Sequence, residues 1–195
     1  ELQGRRMVED ERDERRKRIC TSRSFDKMVT YLEEMTLRVS DFAGKCAEKL
    51  RSEGTAAYSV GVFIQTNRFR DDLPQYFPNA SVRLDVPANS TQEVVAAALR
   101  ALRMVFRNGF EYKRAGVTVS DIVEADAIQT TLFDFDQETR DRDDRISKVM
   151  DLVNTSGKNL LRLATQRPGH YSDGIRREFC SRLYSTSWSE LLEIK

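Results

Sequence analysis

Four stretches of this chain read as strands from their hydrophobic and polar positions, and two stretches of helical period lie between them. Residues 17–25 read as a first strand. Thr30 and Glu33 have capping-box spacing. After them Met35, Val39, Phe42, Ala43, Cys46, Ala47 and Leu50 recur as one helical face, and Gly54 is the expected stop. Tyr58 to Ile64 is a largely apolar run, as expected of a central strand. A turn-rich stretch with Pro74 and Pro78 leads to a third strand over 80–86, with Val82, Leu84 and Val86 on one face. Ser90 and Glu93 form a second capping box. Val94, Val95, Ala98, Leu99, Leu102, Val105 and Phe106 make its helical stripe, which Gly109 should end. Residues 113–123 complete the set, with Ala115, Val117, Val119 and Asp121 expected on one side.

The order β-α-β-β-α-β over 17–123 predicts an α+β fold. Two helices cover one face of a four-stranded sheet, and the other face stays open. From Glu124 the texture changes. Residues 124–142 are acidic and turn-like with a short apolar insert. Residues 143–154 predict a helix with Ile146, Val149, Met150 and Val153 on its apolar face. The remaining tail is too short for a strong core of its own.

Composition changes this picture little. The net charge of +1 does not announce a polyanion binder, but residues 5–123 carry 21 Lys and Arg against 17 Asp and Glu. That asymmetry favours the first part as the one that meets a polyanion. Cys20, Cys46 and Cys180 lack metal or redox spacing, and with no secretory signal in view the expectation is a reducing cytoplasm. No apolar run is long enough to span a membrane.

The chemistry-bearing residues point to binding rather than catalysis. Ile19 to Phe25, ICTSRSF, follows a basic block, Arg15 to Arg18. Such a strand can set hydroxyls, amides and a guanidinium against phosphates. Asp71-Asp72 and Asp143-Asp144 read as solvated turns or caps, and the lone His170 has no ligand partners at metal spacing. Trp188 and Tyr184 are tail aromatics, suited to pinning a terminus or stacking on a partner.

These residues resemble the C-terminal part of UmuC-like Y-family translesion DNA polymerases, the group that includes the catalytic subunit of DNA polymerase V. The likeness rests on ICTSRSF at 19–25, AEKLRSE at 47–53, FIQT at 63–66, ASVRL at 80–84 and KRAGV at 113–117. Gln129-Thr130-Thr131-Leu132-Phe133 sits where that family carries a Q-x-x-L-F sliding-clamp motif, with Thr130 in place of a commoner Leu.

The resemblance implies a division of the chain. Residues 1–16 would be a linker from a thumb that is missing here, and 17–123 the DNA-binding little finger. Residues 124–142 would be a linker with the clamp motif, and 143–195 a small tail domain. It implies sequence-independent contacts to primer–template or damaged DNA through Ser22, Arg23, Ser24, Thr66, Asn67, Arg68, Lys113 and Arg114. It implies clamp binding through Gln129, Leu132 and Phe133, with a UmuD-like accessory protein as a further partner. The family's Mg2+ ions belong to palm carboxylates that this chain does not match, so no cofactor and no catalysis are expected of these residues. A protein-interaction module recruiting the clamp or the accessory subunit is the alternative.

Overall fold

The computed structural model describes residues 16–125, 137–155 and 160–166. β1 (Arg18–Val29) leads to α1 (Leu32–Ser52), β2 (Thr55–Thr66), β3 (Asn79–Ala88), α2 (Thr91–Val105), β4 (Tyr112–Glu124) and α3 (Gln137–Asn154). The sheet order is β1-β4-β2-β3, and every neighbouring pair is antiparallel. β1 and β2 are therefore parallel with β4 between them, and β3 and β4 are parallel with β2 between them. These are two interlaced split β-α-β crossovers. Crossovers of one hand place both helices on the same face, as the sequence pattern predicts.

The core lies between that face and the helices. Val60, Val62 and Ile64 of β2 and Ala115, Val117 and Val119 of β4 meet the stripes of α1 and α2. Every α1 stripe residue named above is buried, and so are Val94, Val95, Ala98, Leu102 and Val105 of α2. Leu99 and Phe106 are partly buried against the same core.

The helix ends differ from expectation in instructive ways. At α2 Ser90 caps as expected: its Oγ accepts from the Glu93 N–H at 3.4 Å and donates to Glu93 Oε2 at 2.7 Å, so the serine half of the capping box forms. The box expected at Thr30 does not form. β1 runs on to Val29, the N-cap is Tyr31 in extended conformation, and no side chain caps it. Glu33 and Glu34 in the first turn still favour the positive helix end. Gly54 does follow α1, with φ +63. α2 stops at Val105, before Gly109, because buried Tyr112 takes over the next polar backbone. Its hydroxyl accepts from the Arg107 N–H at 3.0 Å and donates to the Arg107 carbonyl at 2.9 Å. Asp121 leaves the alternation of β4. It is exposed, with φ +55, and its carboxylate turns to Arg83 at 3.4 Å.

α3 begins at Gln137, before the expected start, because its first turns are polar and carry no apolar period. It docks on the domain by its polar side. Arg51 grips Asp151 through two N–H donors, each at 2.6 Å, and also donates to the Asn89 carbonyl at 2.6 Å. Buried Ser147 accepts the Thr91 N–H at 3.2 Å, so it satisfies an otherwise orphan donor in the first turn of α2. Arg140 lies 3.1 Å from Glu93. Of the expected apolar face, Ile146 and Val149 are exposed and Met150 and Val153 are half-buried, and Leu152 is exposed as well. Residues 160–166 return to α1, where Leu163 touches the core and the Gln166 amide fills the space left open at Gly44.

Candidate nucleic-acid interface

Cross-strand registry defines the open face in rungs. Arg18, Ser120, Ser59 and Arg83 share one rung, and Cys20, Thr118, Gly61 and Ser81 the next. Ser22, Gly116, Phe63 and Asn79 follow, then Ser24, Arg114 and Gln65. These positions carry hydroxyls, amides and three guanidinium groups, with no carboxylate among them. Asp121 stands at the margin, paired with Arg83, and exposed Asp85 continues the parity of Asn79, Ser81 and Arg83 beyond the registered rungs.

Gly116 matters to the shape of this face. A Cβ there would collide with the Phe63 ring and with Ser22 Cβ, so only glycine lets Phe63 lie across the strand. Arg114 then sits over the Phe63 ring, 5.9 Å from its centroid, and donates to Ser22 Oγ at 3.0 Å. The result is a shallow groove of about 570 Å³, lined by Arg18, Gln65, Asn79, Ser81, Arg114 and Ser120 among others. A face that is polar, cationic and made largely of small side chains can approach a phosphate row closely.

The residues singled out from the sequence divide between places. Ser22, Ser24 and Arg114 meet on the open face. Arg23 stands opposite Ala115, with the parity of Ile19 and Thr21, so strand alternation puts it on the helix side. Lys113 sits at a register shift and donates to the Asp26 carbonyl at 3.2 Å. Thr66 is buried and holds the β2–β3 loop. Its hydroxyl donates to Gln75 Oε1 and accepts the Tyr76 N–H, both at 3.0 Å. Asn67 accepts the Phe69 N–H within that loop, and exposed Arg68 lies 4.8 Å from the Phe77 ring centroid. Gln129, Leu132 and Phe133 lie outside the described residues, as do Cys180, Tyr184, Trp188 and His170.

Sequence reading took Arg18 only as the end of the basic block and passed over Ser59, Phe63, Asn79, Ser81, Arg83, Thr118 and Ser120. Their signal was the second parity of each strand, read there only as the side away from the core. The two described cysteines also part company. Cys20 is exposed on the open face. Cys46 is buried behind the sheet, with its thiol 3.3 Å from Thr21 Oγ1, and burial pushes that thiol up from its ordinary range.

Among the described residues no group of three or more His, Cys, Asp and Glu could hold a metal ion. Asp72 is gripped by Arg70 at 2.6 and 2.7 Å, a hydrogen-bonded pairing that holds its carboxyl below the usual range. Asp143 lies 3.7 Å from Arg142. Nor is any described helix long and apolar enough to cross a membrane.

Comparison with known proteins matches residues 16–132 to the impB/mucB/samB family C-terminal domain, and residues 144–194 to a domain of unknown function (DUF4113). The chain is 33% identical over 197 residues to protein UmuC of Salmonella typhimurium, which covers 100% of this chain and 46% of that protein. It is 32% identical over 192 residues to SamB and 31% over 192 residues to ImpB from the same species, covering 98% of this chain and 45% of each. The chain thus spans less than half the length of these curated relatives. The match to the family domain takes in both crossovers and the whole open sheet face, and on that ground the chain belongs to the impB/mucB/samB family.

Proposed function

We propose that this chain is the DNA-gripping C-terminal region of a UmuC-like translesion DNA polymerase, and that its open sheet face holds the backbone of primer–template duplex. The observation that supports this most is the open face itself: guanidinium groups of Arg18, Arg83 and Arg114 set among hydroxyls and amides, with no carboxylate on the rungs. Contacts to the phosphate backbone carry no sequence information, which suits an enzyme that must accept damaged template. Ser22, Ser24, Asn79 and Ser81 supply neutral donors between the cations. The polymerase chemistry itself belongs to parts of the relatives that this chain does not match.

The insert at Gln129, Leu132 and Phe133 fits the same reading as a sliding-clamp anchor. It falls between the end of β4 and the start of α3, so a short linear motif there is presented from between two folded elements.

Salt dependence tests the grip. The chain should bind blunt duplex without sequence preference, and its affinity should fall steeply with salt. Arg18→Ala together with Arg114→Ala should weaken binding to all sequences and reduce the logarithmic salt slope by about two, one for each phosphate contact removed. An unchanged affinity and slope in the double variant would remove the open face from the interface.

A further inference from the structure

The loop between β2 and β3 holds an exposed aromatic ring on a built scaffold. Phe69 is 94% exposed. Leaving a phenylalanine in water forgoes the favourable burial of its ring. Yet the loop around it is tied down. The Gln75 amide donates to the carbonyls of Asn67, Arg70 and Leu73 at 3.1, 2.8 and 3.1 Å. Asn67 Oδ1 takes the Phe69 N–H at 3.1 Å, and Thr66 clasps both Gln75 and Tyr76. Tyr76 stacks on Phe110 at 4.7 Å, with Arg107 5.0 Å from its ring centroid. The scaffold thus holds the backbone under Phe69 in place before any partner arrives, which lowers the entropy cost of binding.

The surroundings of the ring select its partner. Arg68 and Arg70 flank it, and Arg70 is neutralised by Asp72. Arg68 has no carboxylate partner among the described residues and lies over Phe77. A protein hot spot sits inside an apolar patch that excludes water. Here the ring lies between two arginines in the chain, with exposed Phe77 under Arg68, which matches a flat heterocycle with polar edges and a phosphate beside it. The loop also continues the groove directly. Gln65, one residue before the end of β2, and Asn79, the first of β3, both line it.

We propose that Phe69 is a stacking platform for an unpaired nucleobase, where a single strand leaves the duplex held on the open sheet face, with Arg68 beside the adjoining phosphate. This rests on the reading of that face as a DNA grip. Because a phenyl ring carries no charge, the contribution of Phe69 is stacking.

The test compares the 195-residue chain with Phe69→Ala and Phe69→Trp on two probes, a blunt duplex and the same duplex with a single-stranded extension carrying 2-aminopurine. Wild type should prefer the extended probe and quench its fluorescence. Phe69→Ala should lose about five- to 150-fold on the extended probe alone, the range for losing one stacked base. Phe69→Trp should keep or raise the preference. The loss should be the same at low and moderate salt. Equal affinities of wild type for the two probes, or an equal loss on both in Phe69→Ala, would overturn the stacking platform and leave the grip standing. Failure of wild type to bind blunt duplex at low salt would instead overturn the grip. Because the ring is exposed, Phe69→Ala should melt as wild type does, which separates lost binding from lost folding.

Discussion

α2 and α3 are both amphipathic, and they settle on the domain in opposite ways. α2 turns its apolar stripe inward, so that Val94, Ala98, Leu102 and Val105 are all but inaccessible. α3 turns a polar side inward, through Arg140, Ser147 and Asp151, and leaves Ile146, Val149 and Leu152 in the open. An apolar stripe therefore tells which face of a helix resists water but not which neighbour the helix meets first. The difference follows from what the neighbour offers. α2 lies over the apolar side of the sheet. α3 reaches the rim formed by the first turn of α2 and the last turn of α1, where unsatisfied N–H groups and the Arg51 guanidinium call for oxygen partners.

The sharpest test of that contrast is a pair of leucines. Leu102→Ala should destabilise the chain by about 2–5 kcal/mol in urea unfolding, the range for emptying a fully buried leucine site. A loss below about 1 kcal/mol would mean that α2 is not an integral wall of the core.

Next comes the clasp. Arg51→Ala removes the guanidinium shared by Asp151, Asn89 and Thr91. Its side chain is 9% exposed and that of Asp151 about a third exposed, so water recovers part of the loss. The expected cost is about 1–3 kcal/mol. It should appear as faster amide exchange in α3, while β2 and β4 keep their protection. Arg51→Lys should restore little, since an ammonium cannot reproduce the two-pronged grip. Uniform loss of protection across sheet and helix would break the comparison, because α3 would then be as integral as α2.

These contrasts also mark how far the sequence could be read. The sheet, both crossovers and the two buried stripes were legible, because local period and global packing agree there. The Ser90 and Glu93 pairing was legible for the same reason, as partners three residues apart. Thr30 and Glu33 have the same spacing without the pairing, because the strand before them continues to Val29 and shifts the helix start by one residue. Arg23 looked equivalent to Ser22 and Ser24 in a row of polar letters. Strand alternation separates them, and at an edge strand even the helix-side residue is wet. The roles of Thr66 and Gln75 were hidden, because their hydrogen bonds organise a loop through backbone groups that carry no sequence signature. The clasp of α3 was hidden most of all, since Arg51 and Asp151 lie one hundred positions apart.

The smallest expected effect is the most informative about α3. Leu152 is 77% exposed although its neighbour Asp151 makes the clasp. In a helix buried by its apolar stripe, Leu152→Gln would bring a polar amide into a dry contact and cost on the order of 1–3 kcal/mol. In the arrangement found here the change meets water, and stability should stay within about 0.5 kcal/mol of wild type. Glutamine and leucine have similar helix propensity, so the helix itself is not the variable being changed. The measurement is a urea midpoint beside that of Leu102→Ala. If the Leu152 variant fell as far as the Leu102 variant, the apolar stripe of α3 would have to be covered in solution, and the two helices would obey the same rule after all.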